Sequence, residues 1–110
     1  MDISELRKAL DAGYPVEYSA HCQKRMLERG ISRSDIKHCI YNGEIIEINV
    51  LADDNKSEKS LPSCLILDYR VADHKAVHVL VGFNGTRMLI ISACYPDAEH
   101  WLPDNKTRRK

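Results

Sequence analysis

The stretch that decides the fold is AVHVLVGFNGTRMLIISACY, at positions 76–95. It contains two runs rich in β-branched and other apolar residues, 76–83 and 86–95, on either side of Asn84 and Gly85. Such runs predict strands. An Asn-Gly pair between them is a strong hairpin signal, because a two-residue turn needs positive φ at both positions. We therefore expect an antiparallel hairpin here, with its nearly continuous apolar second strand in the centre of a sheet.

The segments upstream of this hairpin predict the other elements of one α+β domain. The runs 44–51 and 64–71 predict two more strands with a polar loop between them. Because helical periodicity precedes the strands, we expect two or three N-terminal helices packed on a four-stranded antiparallel sheet. One domain would occupy residues 1–105, and 106–110 would form a basic flexible tail. The helices are predicted over 4–12, between Ser19 and Gly30, and from Ser32 to Asn42.

Composition excludes a strong net charge. The 110 residues include 16 basic and 16 acidic side chains, so a site for a polyanion must be a local patch. No apolar run reaches the roughly 18 residues of a membrane span, and the N-terminus lacks a secretory signal. We therefore expect a cytoplasmic protein with no membrane partner. The four scattered cysteines read as small buried hydrophobes, and no metal site or cofactor is predicted.

The first candidate for a functional element is the helix between Ser19 and Gly30. Ser19 can cap its N-terminus, and Gly30 can supply the left-handed residue that ends it. Between them His21, Arg25 and Arg29 recur at i, i+4 spacing and form one stripe. A titratable imidazole beside two fixed cations suits phosphate binding. On spacing alone, however, a solvated basic helix edge is the better explanation.

The second candidate is His78, in the first strand of the hairpin. Strand alternation places Val77 and Val79 on one face and His78 on the other. If the valines pack on the helices, His78 points to the open face of the sheet; otherwise it is a core histidine bonded to a neighbour. The hairpin is expected to bring Arg87 near His78. Tyr95, at the far end of the second hairpin strand, would supply a phenol close to the beginning of the strand that contains His78.

Histidines, arginines and a tyrosine are sufficient for RNA cleavage without a metal. One group removes the proton of the ribose 2′-OH, another protonates the departing 5′-oxygen, and cations stabilise the charge on the phosphate. A Cys–His nucleophile is the alternative that the composition leaves open. The predicted catalytic residues are His21, His78 and Tyr95. The predicted phosphate- or RNA-binding residues are Lys24, Arg25, Arg29 and Arg87.

The chain resembles a bacterial and archaeal family, the domain of unknown function 4258. The resemblance covers about residues 15–101 and rests on YSAH at 18–21, RGIS at 29–32, NGEII at 42–46, VHV at 77–79 and IISACYP at 90–96. Its motif positions correspond here to His21, Arg25, Arg29, His78 and Tyr95. The family is similar to suspected ribonuclease toxins of the RelE, MqsR and BrnT types. The resemblance therefore implies helices on a curved antiparallel sheet, cleavage of mRNA, and a small antitoxin partner of the zinc-finger or another DNA-binding type.

Two alternatives stay beside the toxin hypothesis. Toxins of those types are usually strongly basic, whereas this chain is neutral and carries an acidic insertion around 52–63. A non-catalytic module that binds a protein or nucleic acid through the same stripe fits that difference. A purely structural role, in which His21 and Arg29 tie their helix to the sheet, is the third possibility.

Overall fold

In the computed structural model, which describes residues 2–48 and 61–109, helices lie against one face of a five-stranded mixed sheet. The helices are α1 (Ile3–Asp11), α2 (Ala20–Arg29) and α3 (Arg33–Asn42). The strands are β1 (Val16–Tyr18), β2 (Glu44–Ile48), β3 (Ser63–Tyr69), β4 (Ala76–Phe83) and β5 (Met88–Cys94). The α+β class is confirmed. The end of the strand predicted over 44–51 and most of the predicted polar loop lie outside the described residues. Within the described residues, no helix is both long and apolar enough for a membrane span.

The sheet has one strand more than the predicted four, and it is not wholly antiparallel. Its order is β1-β5-β4-β3-β2, and β2 to β5 form the predicted antiparallel meander. The added strand, β1, pairs in parallel with β5, with Val16 opposite Met88 and Tyr18 opposite Ile90. The sequence predicts Val16–Tyr18 only as an extended connection. Three residues are too short to show an alternating pattern, and the pairing depends on a partner about 70 residues away.

The hairpin joins β4 and β5 as predicted, but its turn has a different geometry. Gly85 has a φ of 97°, whereas Asn84 is not among the residues with positive φ. The Asn84 side chain stabilises the turn instead. Its Oδ1 accepts hydrogen bonds from the backbone N–H groups of Thr86 at 3.0 Å and Arg87 at 2.8 Å. The loop therefore depends on asparagine as a side-chain acceptor and on glycine for the left-handed position.

Both faces of the sheet are buried. On one face, Val77, Val79 and Val81 pack with apolar side chains of the three helices. The valine face of β4 therefore packs on the helices, and His78 points to the opposite face of the sheet. On the other face, Leu65 of β3, Leu80 of β4 and two apolar residues of β5 pack with Trp101.

The second face is covered by residues 97–109, which we call the C-terminal strap. Trp101 anchors it and is only 8% exposed. The guanidinium of Arg108 lies 4.6 Å from the centre of the Trp101 ring, and its Nε donates to Glu47 Oε2 at 2.7 Å. Lys106 Nζ lies 3.2 Å from Glu44 Oε1. Lys106 and Arg108, in the segment predicted as a flexible tail, thus make specific contacts with β2, which the aperiodic sequence of the strap does not reveal.

Candidate functional site

The helix α2 has the predicted boundaries, and its stripe lies mostly at the surface. Ser19 Oγ accepts from the Cys22 N–H at 2.9 Å, and Gly30 ends the helix with a φ of 67°. His21 is exposed, and Arg25 is paired with Glu28 at 2.9 Å. Only the C-terminal end of the stripe reaches the sheet, where Arg29 Nη1 donates to the carbonyl of Ala93 at 3.1 Å. Lys24, beside the stripe, is exposed as well.

His78 lies on the opposite face of the sheet from α2. Its Nε2 is 2.6 Å from the carbonyl oxygen of Asn105. Its ring packs edge-on against the Trp101 ring, with 4.4 Å between the ring centres. Burial lowers the pKa of His78, since a charged imidazolium would lose its hydration beneath the strap. The side chain is 2% exposed, so it behaves as a core histidine with a satisfied hydrogen bond.

The structure therefore separates most of the predicted site residues. The sheet itself lies between His21 and His78, so the two rings do not share a groove. Arg87 does not approach His78 either. His78 is opposite Cys94, whereas Arg87 lies beyond Met88 at the other end of the hairpin, roughly 20 Å along the strand. Arg87 Nε instead pairs with Glu17 at 2.7 Å.

Tyr95 is the predicted catalytic residue that does join a polar cluster. Its hydroxyl donates to the backbone carbonyl of Arg29 at 2.7 Å and accepts a short hydrogen bond from Arg70 Nη1. Lys75 Nζ lies 5.5 Å from the centre of the same ring. Tyr95 therefore connects the end of α2 to the residues that follow β3.

At the end of β3 nearest α3, a histidine and a carboxylate form a close pair. His38 Nδ1 is 2.5 Å from Asp68 Oδ2, and the two side chains are 37% and 15% exposed. With its Nδ1 on a carboxylate, an imidazole is held in one orientation and tautomer, and Nε2 becomes the nitrogen that exchanges protons. This is the arrangement of a general base.

Arg70 supplies a cation in the same cleft. Its side chain is 18% exposed, and its Nε is buried without a hydrogen-bond partner among the described residues. The nearest carboxylate oxygens to this Nε belong to Asp73, at 3.5 Å, and Asp35, at 3.9 Å. Nη1 donates to Tyr95 and to the carbonyl of Gly30. Arg70 is thus fixed in place, while its buried Nε has no hydrogen-bond partner in the described part of the chain.

The cleft that contains these groups has a volume of about 110 Å³. Local sequence explains its construction. Ser32 and Asp35 form a capping box that starts α3, so His38 lies one turn further along the same helix. On β3, Cys64 and Ile66 face the helices, and alternation puts Asp68 on that face. The residues that line the cleft are Ser34, Asp35, His38, Cys39, Asp68, Tyr69, Arg70, Val71 and Val77.

Sequence reasoning missed this cleft because positions 68–70 fit within the strand predicted over 64–71. A signal was nevertheless present. The helix-facing positions of β3 change from apolar to ionic after Ile66, at Asp68, while β3 continues to Tyr69. A carboxylate at an inward position of a strand is unusual unless it has a partner.

Thiol chemistry and metal binding have weaker structural support. All four cysteines are free thiols, and burial raises the pKa of Cys22 and of Cys64 to about 11. Burial also raises the pKa of Cys39, which lines the cleft, so its nucleophilic thiolate form is disfavoured there. Among the described residues, one group of potential metal ligands lies exposed in the strap: Asp97, Glu99 and His100. Asp97 already accepts hydrogen bonds from His100 Nδ1 and from two backbone N–H groups, as in a local turn.

Comparison with known proteins identifies the family. The chain belongs to the family described as "Domain of unknown function (DUF4258)", whose model matches residues 18–95. The match includes α2, α3 and all five strands except the first two residues of β1, and it ends before the strap. No match was found among curated proteins or solved structures.

Proposed function

We propose that this protein is a metal-independent endoribonuclease that acts on mRNA, and that it is the toxin of a toxin–antitoxin pair. The observation that supports this most is the contact between His38 Nδ1 and Asp68 Oδ2 at 2.5 Å, beside Arg70 in one cleft. The relation of the family to RelE-like toxins, implied by the sequence resemblance, belongs to the same proposal. The proposal moves the reaction centre from His21 and His78 to His38.

The proposed reaction is an internal transphosphorylation. His38 Nε2 removes the proton of the ribose 2′-OH, and the 2′-oxygen forms a bond to phosphorus as the bond to the 5′-oxygen breaks. The leaving 5′-oxygen takes a proton from water, and His38 returns its proton to solvent. The products are a 2′,3′-cyclic phosphate and a 5′-hydroxyl. Asp68 holds the imidazole in its reactive tautomer.

Arg70 would stabilise the charge that develops on the non-bridging phosphate oxygens. A guanidinium matches phosphate geometry, and a fixed cation costs no reorganisation during the reaction. Tyr95 acts through Arg70 as a positioning residue, since its hydroxyl holds Nη1. The cleft volume of about 110 Å³ suits a phosphate with the edge of a ribose, whereas whole ligands of drug size need roughly 300 Å³ or more.

A non-catalytic binding module is the second candidate. It is favoured by the position of His78, which lies beneath the strap and cannot act together with His21. In this alternative the basic side chains of α2 and α3 hold a protein or RNA without cleaving it. The predicted small antitoxin is compatible with both candidates, and co-purification with the product of the adjacent gene would test it.

Cleavage of RNA by the purified chain in EDTA tests the proposal. We expect wild-type protein to shorten a single-stranded RNA, and His38→Asn to abolish this, because asparagine keeps a donor for Asp68 but has no Nε2. His100→Asn, at an exposed position of the strap, is the matched control and should cleave normally. RNA left intact by wild-type protein, or cleaved equally by His38→Asn, would contradict the proposal.

A further inference from the structure

A second groove lies on the face of α3 next to the one that lines the His38 cleft. It runs between the end of α1, β1 and α3, and its volume of about 280 Å³ exceeds that of the cleft. Arg33 and Lys37 of α3 line it, one helical turn apart, while Ser34 and His38 line the cleft. The two sites therefore occupy neighbouring rows of one helix. The remaining lining residues are Leu10, Gly13, Tyr14, Val16 and Tyr18.

The groove carries cations that lack acidic partners within residues 2–48 and 61–109. Elsewhere on the surface, cations such as Arg25, Arg87 and Arg108 are neutralised by a glutamate. Arg33 and Lys37 form no ion pair with a carboxylate of the described residues. In a chain with a formal net charge of zero, this makes the groove a local positive patch.

Aromatic rings accompany these cations. The guanidinium of Arg33 lies over the Tyr18 ring, 4.7 Å from its centre. Tyr14 is 38% exposed, and its ring packs against Phe83 with the centres 6.3 Å apart. Burial raises the pKa of Tyr18, so this phenol stays neutral and adds no negative charge. Unpaired bases stack on tyrosine rings and on arginine planes, and the neighbouring phosphates bind cations.

We propose that this groove binds one nucleotide of a single-stranded RNA, with its phosphate on Arg33 and Lys37 and its base against Tyr14. This inference rests on the proposed function, for which it supplies the substrate class and the path of the strand. From the groove, the strand crosses α3 and places the next phosphodiester in the His38 cleft. Single-stranded RNA is required, because the bases of a duplex are stacked on each other and cannot reach a ring in the groove.

Binding of a fluorescein-labelled single-stranded oligoadenylate, in the full-length His38→Asn background, tests the inference without cleavage. Replacing Arg33 and Lys37 together by glutamine should raise Kd about tenfold or more and reduce the slope of log K against log salt by about 0.7, because the two cations hold one phosphate. Tyr14→Leu should raise Kd about five- to 150-fold, the range measured when a stacking ring is removed. Lys8→Gln, an exposed lysine on the outer side of α1, is the matched charge control.

The outcomes separate the two proposals. Unchanged affinity in the double variant, an equal loss in Lys8→Gln, or equal affinity for polyglutamate would overturn the groove assignment. Circular dichroism of each variant checks that the fold is intact, and a Tyr14→Leu protein that folds and binds normally would also overturn it. Cleavage by wild-type protein decides the endoribonuclease proposal independently. Oligoadenylate binding that needs Arg33, Lys37 and Tyr14, without any cleavage, would uphold the groove and refute the nuclease.

Discussion

Replacement of Trp101 by alanine tests whether the C-terminal strap is part of the folded domain. Trp101 is 8% exposed. Its ring packs edge-on against the His78 ring, with 4.4 Å between the ring centres, and the guanidinium carbon of Arg108 lies 4.6 Å from the centre of the Trp101 ring. Removing a buried tryptophan costs about 3–5 kcal/mol, from lost burial and the cavity that remains. For a domain of this size, the loss corresponds to a fall in Tm of roughly 10–20 °C.

Urea denaturation followed by circular dichroism measures this loss, since the variant has no tryptophan to report fluorescence. If the strap undocks, the m-value should also fall, because less surface remains to be exposed on unfolding. Leu27→Ala is the control: that side chain is 87% exposed, and its removal should change the free energy of unfolding by less than about 0.5 kcal/mol. An equally small effect of Trp101→Ala would refute the docking of the strap on the sheet.

Three further predictions concern pH, thiols and a helix cap. Burial lowers the pKa of His78 in the folded state. As the pH decreases below about 6.5, the unfolded state therefore binds more protons, and the free energy of unfolding falls by up to about 1.4 kcal/mol per pH unit. Urea titrations should show this fall in wild-type and His100→Asn protein but not in His78→Gln. Cys39 should resist alkylation at about pH 8 until denaturant is added, and rapid labelling of native protein would contradict its burial. Ser32→Ala should cost about 1 kcal/mol in thermal denaturation, and no loss would contradict the capping box.

The fold was largely predictable where local patterns are strong. Caps and stops at Ser19, Gly30 and Ser32 set the helix limits, and β4 agrees with its predicted bounds. The errors involve non-local contacts. The pairing of β1 with β5 and the contacts of Lys106 and Arg108 with β2 both involve segments without periodicity of their own, so only the assembled sheet specifies them.

The candidate site was less predictable, for a related reason. The spacing of His21, Arg25 and Arg29 identifies a helix stripe but not what faces it. His78 was correctly placed on the face opposite the valines, and yet that face is covered by the strap. The pair of His38 and Asp68 is 30 residues apart in sequence and forms only because α3 packs over the end of β3.

The central claim is that His38, and not His21 or His78, is the catalytic base. The most direct test compares His38→Asn, His21→Ala and His78→Gln in one assay, with cleavage of a single-stranded RNA in EDTA and analysis of the product ends. The account predicts 2′,3′-cyclic phosphate ends from His21→Ala and His78→Gln, and no product from His38→Asn. Cleavage that survives in His38→Asn but is lost in His21→Ala would contradict it.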